Sequence, residues 1–279
     1  MLYFAYDASI NGDWVSHYAV RFAQSQAERS LHIVHVRDGT LSDAELDERL
    51  LRLLRRAEDA GLAVTLEVPA ARGGVTATLE ACVPSGAEHV LLCGTRARGR
   101  GRGLLTGTVA ERLLDAGRRH VLAVRVVHPG LLGVPGRLLL PLSGAPWTLD
   151  AVSVILRLFG RDLELVNLLH VRVVRGGRFR RLSHERVQHL LEEGRAYLHQ
   201  VEPALCARLG LARARVDGHV VLSDDVSREI AVAANRTRSR LILMGASRRH
   251  LLERLWRGNP LERVLAQAPC DVGIYRGPA

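Results

Sequence analysis

The stretch from Gly94 to Glu111 contains the residues of this sequence best suited to binding a ligand. It reads GTRARGRGRGLLTGTVAE, so four further glycines and four arginines separate an apolar run from an amphipathic segment that opens at Thr108. Glycines let backbone N–H groups approach an anion closely, and a helix N-terminus offers unpaired N–H groups with a favourable dipole. The pattern predicts a phosphate-binding loop that follows a strand and leads into a helix.

A structural interpretation of the same residues is also open. Thr108 and Glu111 have capping-box spacing, in which two side chains satisfy N–H groups of their own helix, and Gly94 and Gly107 also suit tight turns. Four arginines alternate along the loop: Arg96, Arg98, Arg100 and Arg102. They fit either a solvated loop or a flap that closes on a triphosphate, since guanidinium groups bind phosphate oxygens well.

Asp7 directly follows the first apolar run, LYFAY, and is the second candidate for a functional role. Ligands of an open α/β sheet bind beyond the carboxyl ends of the strands, so Asp7 is expected to face the same crevice as the glycine-rich loop. It is also the only obvious base or metal ligand for that loop. The alternative is that Asp7 caps a helix beginning near Asp13.

The chain contains an internal repeat, in which the first half and the second half share a pattern of apolar segments. This repeat defines the elements that position these residues. Four apolar segments recur in the same order: 2–6 and 138–142, 31–36 and 166–171, 89–94 and 240–245, 121–125 and 272–276. The offset between equivalent positions rises from 136 to 151, so the second half carries an insertion of 15 residues. The insertion lies between 172 and 209, which is predicted to be a basic loop followed by a long helix.

Each half alternates apolar runs with amphipathic segments, which is the pattern of βαβ units around a parallel sheet. We predict an α/β fold of two doubly wound units, with domains at 1–128 and 137–279 and a linker rich in Pro and Gly around 128–136. In the first half, strands are expected near 2–6, 31–36, 63–68, 89–94 and 121–125. Helices are expected there near 13–29, 42–59, 75–85 and 108–116. His35 and His170 end equivalent strands and are predicted to be packed core histidines.

Composition narrows the class of protein. All 39 basic residues are arginine, which gives a net charge of +10 and favours anionic ligands, but the absence of lysine excludes a P-loop. An aromatic content of 4% does not favour nucleic-acid binding. No apolar run reaches the roughly 18–20 residues that span a bilayer, and the first residues read as a strand rather than a signal peptide. Four scattered cysteines favour reduced thiols, no metal site and a cytoplasmic location.

The motif residues resemble those of the universal stress protein family. Its ATP-binding members carry G-x2-G-x9-G-[ST] and an aspartate after the first strand. Here the corresponding residues are Asp7, Gly94, Ala97, Gly107 and Thr108. The dipeptide His35-Val36 at the end of the second strand is also typical of the family. One position departs, because Ala97 stands where the second glycine is expected and its methyl group resists a positive φ. The resemblance covers both halves.

This resemblance implies an adenine-nucleotide α-hydrolase-like fold that binds ATP with Mg²⁺ in the first half. The residues expected at the nucleotide are Asp7, Val36, Gly94, Ala97, Gly107, Thr108 and Val109, with Val36 at the backbone contact to adenine. It also implies a role in stress response and pairing of the two halves through strands 121–125 and 272–276 as a pseudo-dimer; further pairing of whole chains is left open. No catalytic residue is identified. The alternatives are a slow ATPase that uses Asp7 and a nucleotide-free scaffold.

The second half departs further from the family motif. Gly245 and Gly258 keep the spacing, but three positions are substituted: Ser143 for the aspartate, Arg248 for the second glycine and Asn259 for Ser or Thr. Pro260 opens the following helix and has no N–H to offer a phosphate, although Asn259 and Glu262 retain a capping pattern. We therefore expect a structural copy without nucleotide.

Overall fold

A computed structural model of the protein describes residues 1–95, 104–129, 135–144, 148–174, 182–212, 215–246 and 260–278. The strands of the first half are β1 (Leu2–Ala5), β2 (Ser30–Val34), β3 (Ala63–Glu67), β4 (Gly86–Gly94) and β5 (Arg119–Arg125). Its helices are α1 (Ile10–Ser25), α2 (Asp43–Asp59), α3 (Val75–Cys82) and α4 (Val109–Ala116). These elements lie at the predicted positions, with ends shifted by a few residues.

Helix α2 illustrates why the amphipathic segments fold as they do. Ser42 and Glu45 form a capping box at its N-terminus, in which each side chain accepts a hydrogen bond from the other residue's backbone N–H. Its buried residues recur at helical spacing: Leu46, Leu50, Leu53 and Ala57. One apolar stripe therefore faces the sheet while the charged positions face solvent.

The second half repeats this arrangement with one longer helix. Its strands are β6 (Arg137–Leu142), β7 (Leu165–Val173), β8 (Val216–Ser223), β9 (Leu241–Gly245) and β10 (Asp271–Arg276). Its helices are α5 (Thr148–Arg157), α6 (His184–Leu209), α7 (Val226–Arg236) and α8 (Pro260–Gln267). Helix α6 is the long helix predicted in the insertion, and its 26 residues compare with 17 in α2.

All of these strands belong to one ten-stranded sheet in the order β3-β2-β1-β4-β5-β10-β9-β6-β7-β8. Neighbouring strands run parallel within each half, whereas β5 and β10 pair antiparallel at the centre, with Ala123 opposite Ile274. The strand pairing predicted between 121–125 and 272–276 is therefore present. Because the central pair is antiparallel, the carboxyl ends of the strands point in opposite directions in the two halves.

Apolar packing crosses the boundary between the halves. Phe22 of α1 meets Phe159 of the second half edge to face, with ring centroids 4.8 Å apart. Beside it, the Arg21 guanidinium binds both carboxylate oxygens of Asp162 at 2.7 Å. There are two buried apolar clusters, one on each face of the sheet, and each contains residues of both halves. Among the helices that the structure describes, none combines the length and the apolar character needed to cross a membrane.

Candidate functional site

The candidate site lies where β1 and β4 end. In the first half the strand order is β3-β2-β1-β4-β5, so the chain leaves β1 for β2 on one side and β4 lies on the other. Such a reversal of connection opens a crevice at the carboxyl ends of the two strands, where ligands of doubly wound sheets bind. Asp7 follows β1, Gly94 ends β4, and Val36 follows β2 at the same edge.

Asp7 is exposed at this edge. It does not cap α1 itself, but its carboxylate hydrogen-bonds Ser9, the residue that does. Its Oδ1 accepts hydrogen bonds from the backbone N–H of Ser9 at 3.0 Å and from the Ser9 hydroxyl at 2.7 Å. The Ser9 side chain caps the helix by accepting from Gly12 N at 3.0 Å. Ala8, between them, has a φ of 54°, a conformation that non-glycine residues rarely adopt and that clusters at functional sites.

The end of β4 is fastened to α1 by Asn11. Its side-chain Nδ2 donates to the Thr95 carbonyl at 2.7 Å, and a Cβ at Gly94 would lie 2.6 Å from that nitrogen. Glycine at position 94 is therefore needed for the close approach of α1. Asn11 Oδ1 and Thr95 Oγ1 are buried polar atoms with no hydrogen-bond partner among the described residues. No motif in the sequence singled out Asn11 or Thr95.

The backbone of Val36 faces the side of β1. Val34 accepts a hydrogen bond from Tyr6 N at 3.0 Å, whereas Arg37 N donates to Pro69 on the opposite side at 2.9 Å. Because backbone groups alternate along an extended chain, the N–H and C=O of Val36 face the side of β1, just beyond its end. The buried His35 ring lies 2.9 Å from the Tyr6 carbonyl through Nδ1, so the prediction of a packed core histidine is confirmed.

The N-terminus of α4 completes the edge. Gly107 has a φ of +74°, which glycine adopts without strain, and Thr108 caps α4 by accepting from Glu111 N at 3.1 Å. The buried Glu111 carboxylate accepts from Gly107 N at 2.7 Å, not from Thr108 N, which instead bonds the Leu105 carbonyl at 3.1 Å. The predicted capping box is thus half formed. An anion that binds Gly107 N must take that hydrogen bond from Glu111.

A second carboxylate reaches this loop from the other half of the chain. Glu262 of α8 accepts from the backbone N–H groups of Leu104, Leu105 and Thr106 at 2.7, 2.8 and 2.7 Å. It also accepts from the Thr106 hydroxyl at 3.0 Å. Burial raises the pKa of Glu262, but these hydrogen bonds together outweigh burial, so its pKa is lowered and the group stays charged at neutral pH. Asn259, the partner of Glu262 in the predicted capping pattern, lies outside the described residues.

Comparison with known proteins places the chain in a family. The sequence model of the universal stress protein family matches residues 136–276, which is half of the chain. The chain belongs to the universal stress protein family. The matched part is the second half, in which several motif positions are substituted. No curated protein sequence matches the chain.

Several solved structures, universal stress proteins among them, resemble nearly the whole chain. One from Archaeoglobus fulgidus DSM 4304 has a TM-score of 0.64 at 19% identity, over 98% of this chain and 97% of that one. A putative one from Pseudomonas aeruginosa UCBPP-PA14 has 0.59 at 13%, over 98% and 91%. The cytoplasmic domain of a prokaryotic cation chloride cotransporter has 0.55 at 10%, over 99% and 94%. At such identities the likeness shows the fold, which is consistent with two tandem universal stress protein-like units.

In the half matched by the universal stress protein model, α6 covers the corresponding strand ends. The ring of its Tyr197 lies 4.8 Å from the His170 ring, centroid to centroid. Arg172, near the end of β7, also pairs with Glu193 of α6 at 2.5 Å. His170 Nδ1 lies 3.0 Å from the Leu142 carbonyl, which confirms the packed histidine predicted there. Among the described residues, side chains of α6 therefore contact this edge of the second half, beside the equivalent of Asp7.

Several predicted positions lie outside the described residues. They are Ala97, Arg96, Arg98, Arg100, Arg102, Arg248, Gly258 and Asn259. Ser143 is described and is exposed after β6, at the position equivalent to Asp7. Within the described part of the chain, no cluster of three or more His, Cys, Asp or Glu side chains could hold a metal ion.

Proposed function

We propose that the first half is a second universal stress protein domain and that it binds an adenine nucleotide, ATP with Mg²⁺. The observation that carries the proposal is the convergence of three kinds of group at one sheet edge. These are the exposed carboxylate of Asp7, the inward-facing backbone of Val36 and the N-terminus of α4 after Gly107. Asn11 Oδ1 and Thr95 Oγ1 lie beside them and have no hydrogen-bond partner among the described residues, so they are polar atoms that a ligand can satisfy.

Each group suits one part of the nucleotide. The N–H and C=O of Val36 offer a donor and an acceptor, which an adenine edge complements. The Asp7 carboxylate accepts hydrogen bonds from hydroxyl groups, as a ribose supplies. The first turn of α4, from Val109, offers backbone N–H groups that favour phosphate oxygens. The N–H groups of Gly107 and Thr108 join them only by exchanging their hydrogen bonds to the Glu111 carboxylate and the Leu105 carbonyl for bonds to phosphate. Mg²⁺ would be held chiefly by those oxygens, with Asp7 as a candidate carboxylate ligand.

The proposed activity is binding that changes conformation or partner choice in the stress response. A ligand that prefers one state of the loop shifts the population towards it. The neighbouring Cys93 does not supply a nucleophile, because burial and the negative charge of Asp7 raise the pKa of its thiol to about 12. The second half is proposed to hold no nucleotide, since Tyr197 and α6 cover its strand ends.

Calorimetric titration of nucleotide-stripped protein with ATP and Mg²⁺ tests this function. We expect one ATP per chain, with affinity lost in Asp7→Ala and retained in Ser143→Ala, the matched change at the equivalent position of the second half. Two ATP per chain would show that the second half also binds. No heat, together with no shift in melting temperature, would refute the proposal and favour a scaffold. Turnover of bound ATP would favour an ATPase.

A further inference from the structure

We propose that Glu262 is a positioning residue for the nucleotide loop of the first half. It anchors residues Leu104, Leu105 and Thr106, which we call the loop stem, from the opposite half of the chain. The inference rests on the proposed function and adds that nucleotide binding in the first half depends on a residue of the second.

Both oxygens of the Glu262 carboxylate accept hydrogen bonds from the loop stem. Oε1 accepts from Leu105 N, Thr106 N and the Thr106 hydroxyl, and Oε2 accepts from Leu104 N. Three consecutive N–H groups reach one carboxylate only when the backbone curls around it, so the contact fixes the dihedral angles of all three residues. Hydrogen bonds to an ionised carboxylate are roughly twice as strong as those between neutral groups.

The loop stem passes this restraint directly to the proposed phosphate site. The Leu105 carbonyl accepts from Thr108 N at 3.1 Å and from the Thr108 hydroxyl at 2.5 Å. Thr108 is the cap of α4, and Gly107 lies between it and the loop stem. Moving the loop stem therefore moves the N–H groups that are proposed to bind phosphate.

Apolar packing reinforces the same link between the halves. The Leu105 side chain is fully buried and Leu104 nearly so. Both belong to the buried cluster that also contains Leu261 of α8, the residue preceding Glu262. The carboxylate thus acts on a segment already seated against α8, and its removal is expected to loosen the backbone without expelling the side chains.

Two variants of Glu262 test the proposal in the full chain. Glu262→Ala removes all four acceptor contacts, and the nearly isosteric Glu262→Gln removes the charge and turns an NH2 group towards at least one N–H donor. Gln267→Ala changes an exposed position of the same helix and is the matched control. The readouts are hydrogen exchange of the peptide covering 104–108 in nucleotide-free protein and the Kd for ATP with Mg²⁺.

We expect faster exchange at 104–106 in both variants and a Kd for ATP raised about tenfold, because affinity falls with the fraction of molecules whose loop is competent to bind. The control should match the unmodified protein in both measurements. Unchanged exchange in both Glu262 variants, or an unchanged Kd, would overturn the proposal while leaving the proposed function intact. If the unmodified protein binds no ATP, the proposed function fails and the role of Glu262 in nucleotide binding fails with it. The exchange rates would still show whether Glu262 anchors the loop stem.

Discussion

Replacing Asp271 with asparagine should loosen the junction between the two halves. The Asp271 side chain is buried at the start of β10, where Oδ2 accepts from the Tyr18 hydroxyl at 2.5 Å and Oδ1 accepts from Val127 N at 2.7 Å. Burial and the negative charge of Asp271 raise the pKa of Tyr18 well above its usual value. Burial lowers the pKa of Arg125, and the Asp271 charge opposes that change.

The size of the effect follows from what asparagine keeps and loses. Its carbonyl can still accept from Val127 N, but it cannot provide a charged acceptor for Tyr18 or balance the charge of Arg125. Hydrogen bonds to charged groups are worth about 1.5–3 kcal/mol, so we expect Asp271→Asn to lower the free energy of unfolding by roughly 2–3 kcal/mol. Urea unfolding at neutral pH, followed by circular dichroism, measures this change.

A double-mutant cycle with Tyr18→Phe separates the hydrogen bond from the general effect of the charge. Tyr18→Phe alone should cost about 1–2 kcal/mol, because it leaves Oδ2 buried with one donor fewer. The double variant should lose less than the two single losses combined, with a coupling energy of at least about 0.5 kcal/mol. Additive losses would refute the direct hydrogen bond between Tyr18 and Asp271. A loss below roughly 0.5 kcal/mol in Asp271→Asn, which is the usual range for surface changes, would refute the role of Asp271 at the junction.

Two further predictions concern the site and its anchor. A Cβ at Gly12 would lie 2.2 Å from Asp7 Oδ1. Gly12→Ala should therefore displace Asp7 and weaken ATP binding by about tenfold, or 1.4 kcal/mol, with the circular dichroism spectrum unchanged; an unchanged Kd would contradict the role of Asp7. The pKa of Glu262 is lowered in the folded state from the usual 4.5, so its stabilisation is present above pH 4.5 and is lost as the pH falls through the folded-state value. Melting temperatures between about pH 7 and pH 3 should fall less steeply for Glu262→Gln than for the unmodified protein, and parallel curves would contradict the shift.

Local patterns in the sequence predicted the elements and the main features of the site. The internal repeat located the strands, and the likeness to universal stress proteins implied the central pairing of β5 with β10. The glycine-rich loop correctly predicted a strand ending at Gly94 and a helix capped by Thr108. These features depend on residues close together in the chain or on periodic burial, and sequence reports both directly.

Contacts between distant segments could not be predicted in this way. The local spacing assigned Glu262 to its own helix, but its carboxylate bonds N–H groups 156 to 158 residues away. Which donors a carboxylate takes is decided by the placement of α8 against the loop stem, and the sequence pattern carries no information on that placement. Asn11 and Thr95 were missed for the same reason, since only the close approach of α1 to the end of β4 gives them a role.

The antiparallel pairing of β5 with β10 within one chain has a genetic consequence. Between two identical chains, the same patch meets itself, so every substitution appears on both sides of the contact. Here Ala123 faces Ile274, and each side of the contact can mutate alone. Selection can therefore change one half, where Tyr197 packs against His170, without making the same change in the other. Because both partners are covalently joined, their pairing also does not weaken when the protein is diluted, as a contact between separate subunits would.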